Sequence, residues 1–276
     1  MATDAMNGSA ERVDCVVYRD GQLTLEPRQL VREEPLTITL GGQPLITLMR
    51  TPGHERELAL GYLITEGLIG SAKDVGLIHF CESGSEEGVG QLRIELVPGA
   101  PLKREPDAHR RVYSSCSLCG AEAIAEVASG LAPFAPQAVT GADVCELGRR
   151  LRAHQPLFEL TGGTHAAALA ETPLDEGSAL FVREDLGRHN ALDKVVGAAA
   201  LRRVTLQRPL LLLSGRLSFE MVAKAARAGI PAVAGVSAPT ALSVQLARRL
   251  NMFVAGFVRG DVFTVYSGTA DLSAVT

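Results

Sequence analysis

Tryptophan is absent from this 276-residue chain, and aromatic residues of all kinds make up only 4%. The core must therefore be built from Leu, Val, Ile and Ala. No apolar run approaches the roughly 18 residues that a membrane-spanning helix requires, so none is expected. The N-terminal stretch MATDAMNGSAERVD has neither a basic start nor an apolar segment, and the protein is expected to be cytoplasmic. Positive charge is not in excess either: 27 Lys and Arg stand against 31 Asp and Glu, a net charge of −4. That balance argues against nonspecific nucleic-acid binding, while leaving room for a local basic patch around one phosphorylated ligand. Five cysteines in a chain of this length and setting do not make a disulfide framework. Cys15, Cys81 and Cys145 are scattered singly and read as small core hydrophobes or idle thiols. There is no GxxxxGK[ST] and no GxGxxG after a strand, so neither a P-loop hydrolase nor a Rossmann dehydrogenase is expected.

What is present is the balance of a globular protein, 46% apolar and 21% charged, long enough for one large domain or two ordinary ones. Residues 1–10 are small and polar and are expected to be disordered. VDCVVYRDGQLTLEP predicts a hairpin turning at Asp20-Gly21, and EPLTITLGGQPLITLMR a second turning at Gly41-Gly42. Thr51-Pro52-Gly53 breaks the chain before a predicted helix, HERELALGYLITEGLI, and VGQLRIELV (89–97) alternates as a strand does. Pro98–Ser115 mixes proline, glycine and charge without a period and predicts an exposed loop. A β-rich N-terminal domain over 12–108 is expected to give way here to an α/β domain over 109–276. In that second half CGAEAIAEVASGL and DVCELGRRLRAHQ read as helices. Three strand–loop–helix units follow, from Ala179, Pro209 and Pro231, and MFVAGFVRGDVFTVYSG closes with two strands. Strands alternating with helices predict a sheet that is at least partly parallel, with helices on its faces.

The sharpest local feature is Cys116-Ser-Leu-Cys119, at the mouth of a predicted helix. Unpaired N–H groups there, with Lys103, Arg104, Arg110 and Arg111 upstream against Glu105 and Asp107, favour the thiolate. The spacing serves metal ligation, disulfide exchange or the carriage of sulfur as a persulfide. No second CxxC completes a zinc site, and no clear strand precedes the pair as in a thioredoxin-like motif. A zinc deaminase needs H-x-E and a later P-C-x-x-C; here Ala166 and Ala167 follow His165, and Ser115 stands in the proline's place. Further along, TGGTHAAAL is read as two glycines and two threonines before a helix, with backbone N–H groups able to hold an anion. REDLGRHNALDK (183–194), SGRLSFE (214–220) and GVSAPTA, with Ser237 and Thr240, each follow a strand. In a parallel sheet such loops gather on one edge, where open α/β folds bind ligands. Arg183, Arg188 and Arg216, with Thr161, Gly162, Gly163, His165, His189, Ser214 and Gly215, are expected to line a rim suited to a nucleotide-like ligand.

Taken in order, EEPLTITLGGQPLITLMRTPGHERELALGYLITEGLI, SSCSLCG, TGGTHAAAL, EDLGRHNALDKVVG, LSGRLSFEMVAKAARAGIPAVAGVSAPTALSVQLA and GFVRGDVFTVY resemble the FdhD/NarQ family of formate dehydrogenase accessory sulfurtransferases, from about Val16 to Tyr266. The resemblance implies a cytidine-deaminase-like three-layer α/β domain without deaminase chemistry. It implies a persulfide on Cys116, assisted by Cys119, loaded by a cysteine desulfurase and delivered to the molybdenum bis(molybdopterin guanine dinucleotide) of formate dehydrogenase. Phe257, Val258, Arg259, Gly260, Asp261 and Val262 match a stretch linked to that acceptor, for which a guanine nucleotide such as GDP is expected to stand in. Asp261 departs from the second basic residue that family members often carry there. The family also implies a homodimer. A chaperone that binds and inserts the cofactor without sulfur chemistry is the alternative.

Overall fold

A computed structural model of the chain describes residues 8–81, 90–104, 128, 130–268 and 270–271. Strands β1 (Ala10–Arg19) and β2 (Gln22–Val31) form the first predicted hairpin. Asp20 and Gly21 both hold positive φ, the backbone a two-residue hairpin turn demands. Of residues 1–10, those before Gly8 lie outside the described residues; the expectation of disorder fails for the rest. Ser9 is buried and donates its hydroxyl to the Pro52 carbonyl at 2.8 Å, and Ala10 opens β1. The second hairpin, β3 (Glu34–Leu40) and β4 (Gln43–Arg50), turns at Gly41-Gly42 as expected. Helix α1 (Glu55–Thr65) follows, then β5 (Val75–Cys81), which the sequence reading did not assign, and β6 (Gly90–Leu96). These strands make a sheet in the order β4-β3-β6-β5, with β3 and β6 parallel. The expected boundary at 108/109 falls outside the described residues, as do 119–127 and 129 of the helix read over CGAEAIAEVASGL; Ala128, Gly130 and Leu131 at its end are not helical.

The second half contains β7 (Val139–Thr140), α2 (Gly141–Ala153), α3 (Pro156–Thr161), β8 (His165–Glu171), β9 (Leu180–Asp185) and α4 (Arg188–Leu201). It continues with β10 (Pro209–Leu213), α5 (Phe219–Arg227), β11 (Ala232–Gly235), α6 (Ala241–Arg249), β12 (Phe253–Arg259), β13 (Val262–Ser267) and β14 (Ala270–Asp271), the last pairing with β7. Its main sheet runs β13-β12-β11-β10-β8-β9, with β10, β11 and β12 parallel and the flanking pairs antiparallel. Leu210 and Leu212 face one layer, where Val144, Leu147 and Leu151 of α2 pack; Leu211 and Leu213 face the other, with Val195 of α4 and Met221 and Val222 of α5. A strand buried on both faces carries an unbroken apolar run, which is why the sequence reads PLLLL. The result is the expected three-layer α/β arrangement. No helix among the described residues is long and apolar enough to cross a membrane.

One prediction from sequence is overturned. TGGT does not open a helix: Gly162 is the left-handed C-cap of α3, at φ 67°, and HAAALA is strand β8. Alanine favours helix intrinsically, but pairing with β9 on one side and β10 on the other outweighs that small preference.

Helix α1 lies directly on α4. A Cβ at Gly61 would sit 1.7 Å from the Asp193 carbonyl oxygen, and one at Gly197 1.8 Å from that of Glu57. Only glycine permits this contact. Charges cross the seam as well. Lys224 Nζ of α5 reaches Asp193 of α4 at 2.8 Å, Thr65 Oγ1 of α1 at 3.0 Å and Glu66 at 3.1 Å. Burial pulls the Lys224 ammonium down, but Asp193 and Glu66 more than reverse this and hold it protonated. Arg183 of β9 grips Glu57 of α1 through both nitrogens of its fork. Burial pushes the Glu57 carboxyl up, yet Arg183 and His54 draw it down to about 2.

Gly61→Ala is expected to lower unfolding free energy by at least about 3 kcal/mol, because backbone must move; urea denaturation measures it. Because Glu57 titrates lower in the folded chain than in the unfolded one, its stabilisation is complete above the ordinary glutamate value of 4.5 and fades as pH falls toward 2. The shift corresponds to about 3 kcal/mol. Glu57→Gln should correspondingly flatten the acid limb of a stability–pH curve between those values.

Candidate functional site

The carboxyl ends of the parallel strands β10, β11 and β12 open onto one edge of the main sheet. Strand β8 is antiparallel to β10, so it brings its beginning, His165, to that same edge, and β9 brings its end, Asp185, opposite His165. Five segments flagged in the sequence therefore meet in a row: TGGTH, EDLGRH, SGRLS, SAPT and FVRGDV. Neighbours are tied together. Leu217 bridges Pro239, and the Phe257 N–H donates to the Ser237 carbonyl at 3.3 Å.

At the centre of the row, Ser214 Oγ accepts the Ala166 N–H at 2.9 Å and lies 3.3 Å from His165 Nδ1. A Cβ at Gly215 would touch Arg188 and His165, each at 3.4 Å, so this glycine is the floor between the two. His189 Nε2 pairs with Glu220 Oε2 at 3.1 Å; that hydrogen bond holds the Glu220 carboxyl below its usual range against the effect of burial. Burial pushes the His165 imidazole below its usual value, and Arg188 and His189 push the same way. Two donors at this edge are left over: Arg188 Nε and Ser218 Oγ are buried and hydrogen-bond to no protein atom. Ser218 occupies the N-cap position of α5 without making a capping bond. Arg216 and Arg259 are exposed at the same edge. A buried guanidinium nitrogen, a hydroxyl, a neutral imidazole and two exposed guanidinium groups suit an anionic oxygen ligand such as a phosphate.

The loop is held in place by a buried carboxylate. Asp185, with no exposure, accepts from Thr51 N–H at 3.2 Å, Gly187 N–H at 2.9 Å and Asn190 Nδ2 at 2.9 Å, and pairs with Lys194 Nζ at 2.7 Å. Lys194 also donates to the Thr51 carbonyl at 3.0 Å. Three of the charged or polar residues in EDLGRHNALDK are thus scaffold, and Arg188 and His189 are what they present.

Several expected members of the rim are placed elsewhere. Arg183 is committed to Glu57 on α1. Val258 is buried against α2, with Gly148 opposite it. Thr161 closes α3 through the Leu157 carbonyl and accepts the Gly163 N–H, and Gly163 faces Val31 of the β1–β2 hairpin. Thr240 caps α6. Phe257 is 42% exposed and holds φ 56°, a left-handed backbone unusual for an aromatic residue, at a bulge where β12 bends away from β13. Gly260, Asp261 and Val262 are exposed at the following turn. Asp261 lies 4.0 Å from Arg149. Glu220 and Ser218 were missed as site groups, although both stand in SGRLSFE; their signal was position at a helix start after a strand. Of the isolated thiols, Cys145 is buried, Cys15 half-buried and Cys81 exposed. Cys116 and Cys119 lie outside the described residues.

The family model for FdhD/NarQ proteins matches residues 31–273. The chain belongs to the FdhD/NarQ family. Among FdhD/NarQ relatives, the sulfur carrier protein FdhD of Streptomyces coelicolor is 42% identical over 272 residues, 95% of each chain. The sulfur carrier protein FdhD of Mycobacterium tuberculosis is 41% identical over 257 residues, 89% of this chain and 92% of that one. A chain from Desulfotalea psychrophila, assigned as a formate dehydrogenase accessory protein, superposes with a TM-score of 0.74 over 94% of this chain and 97% of its own. At 24% identity that likeness shows the fold alone.

His165 is expected to titrate below the ordinary histidine value of 6.5, because burial disfavours its cation and Arg188 repels it. Arg188→Ala should move that titration back upward, which the C2–H resonance followed by NMR against pH would show.

Proposed function

We propose that this chain is a sulfur carrier: it takes a sulfur atom as a persulfide on Cys116 and hands it to a molybdenum bis(molybdopterin guanine dinucleotide) acceptor destined for formate dehydrogenase. The observation that carries the reading is 42% identity, across 95% of both chains, to a protein named as a sulfur carrier. The sequence supports it with the CxxC of Cys116 and Cys119. The described structure supports the acceptor side with a rim rich in donors and guanidinium groups, suited to pyrophosphate oxygens.

Loading is a thiol exchange. The Cys116 thiolate attacks the outer sulfur of the donor's persulfide; a new S–S bond forms, the donor's S–S bond breaks, and the donor cysteine leaves as thiolate. No outside oxidant is needed. The donor chemistry fits a cysteine desulfurase. On delivery an electron pair of the acceptor forms the new bond to the outer sulfur as the Cys116 S–S bond breaks; Cys116 leaves as thiolate with that bond's pair, and Cys119 assists as its neighbour. Arg188 and the neutral His165 orient the anionic ends of the acceptor, with Ser218, Arg216 and the Phe257–Val262 turn around them. Asp185 and Lys194 position the loop. The protein works as two identical copies.

After incubation with a cysteine desulfurase and cysteine, mass spectrometry should find one added sulfur on the peptide containing Cys116, and none in Cys116→Ala. Repeated absence of that adduct, with guanine-nucleotide binding intact, would favour a chaperone that only holds and inserts the cofactor. Arg188→Ala should weaken GDP binding about ten- to a hundredfold, the worth of one or two charge-assisted hydrogen bonds; calorimetric titration reads it directly.

A further inference from the structure

The β1–β2 hairpin leaves its largest apolar side chains in water near its tip. Opposed residues in an antiparallel ladder, and their next-but-one neighbours, share a face. Val16 faces Leu25 and Tyr18 faces Leu23. These four side chains form one contiguous patch, and they are 65%, 72%, 72% and 71% exposed respectively. The opposite face is mixed: Glu26 accepts there from Arg19, Thr24 and Arg28, beside Val13, Cys15, Val17 and Leu30. Antiparallel sheets ordinarily bury the apolar face and leave the polar one in water.

The hairpin is also long and anchored at one end only among the contacts described. Its ladder runs ten pairs, from Ala10 opposite Val31 to Arg19 opposite Gln22. The base is tied by the Ser9 hydroxyl to Pro52, by the Arg32 N–H to the Ser9 carbonyl and by Val31 against Gly163. The apolar patch lies toward the tip. An uncovered two-stranded ribbon is marginal in water and gains stability from a layer against its apolar face.

We propose that this layer is a second copy of the same hairpin, the two stacked face to face across a two-fold axis. The inference rests on the two-copy reading above and assigns the surface that makes it. Charge favours self-association: the strands and turn hold Arg12, Arg19 and Arg28 against Glu11, Asp14, Asp20 and Glu26, so no excess draws the hairpin to an anionic lipid surface. The pattern along the face is self-complementary. With the axis through the Val16–Leu25 pair, Tyr18 comes over the partner's Asp14, hydroxyl to carboxylate, and Leu23 over the partner's Pro27. Arg12 at the base comes toward the partner's Asp20 at the tip. Such an isologous contact closes on itself. The four apolar side chains expose roughly 500 Å² per copy, so that pairing buries about 1,000 Å² before the polar rim is included, the lower limit of a specific interface.

The test is sedimentation velocity on the full chain from about 1 to about 100 µM. The wild type should sediment as twice the 29.1 kDa chain. Leu25→Asp should raise the dimer dissociation constant about a hundredfold or more, while Thr24→Asp on the opposite face leaves it unchanged. Circular dichroism and a melting curve confirm that the variant folds; should Leu25→Asp melt early, Tyr18→Ser, which adds no charge, carries the same expectation. A monomeric wild type overturns the two-copy reading and this surface together. A dimeric wild type whose folded variants remain equally dimeric overturns the surface alone.

Discussion

A carboxylate removed from water organises the functional edge of this molecule. Asp185 ends β9 with no exposure, and an ionised group there persists only if its lone pairs are filled. Two backbone N–H groups, an amide and a lysine fill them. Two of those donors belong to α4 and one to the segment between β4 and α1. Satisfying one acid therefore fixes a strand end, a helix start and the junction of the N-terminal half at once. Arg188 and His189 inherit their positions from that arrangement. The edge is rigid where it is built and cationic where it is offered, which is the division a pre-formed anion site needs.

The architecture was largely legible in the sequence because its signals are local. Asp20-Gly21 and Gly41-Gly42 carry the turn chemistry of hairpins, and PLLLL and AVAG are strands covered on both faces. The misreading at TGGTHAAAL has a physical cause. A run of alanines says helix when read alone, and only long-range pairing with β9 and β10 makes it a strand.

The site was legible in position but not in division of labour. REDLGRHNALDK looks uniform in sequence, yet Arg183 turns away to Glu57, Asp185 and Lys194 are buried together, and Arg188 and His189 remain at the edge. Burial distinguishes these charges, and burial depends on partners more than a hundred residues away in α1 and its approach. Val258 shows the same limit inside FVRGDV: one residue of an exposed turn is core. Glu220 stands at a helix start after a strand, but nothing in its sequence neighbourhood reveals the histidine across from it.

The glycine contact between α1 and α4 reaches beyond stability. Asp193 sits beneath Gly61, and its carboxylate answers Lys224, Thr65 and, through that lysine, Glu66. None of these residues can be exchanged without stranding another away from water. Drift at this seam is consequently constrained to concerted change, and a chimera joining the first half of one family member to the second half of another would inherit mismatched charges in its interior.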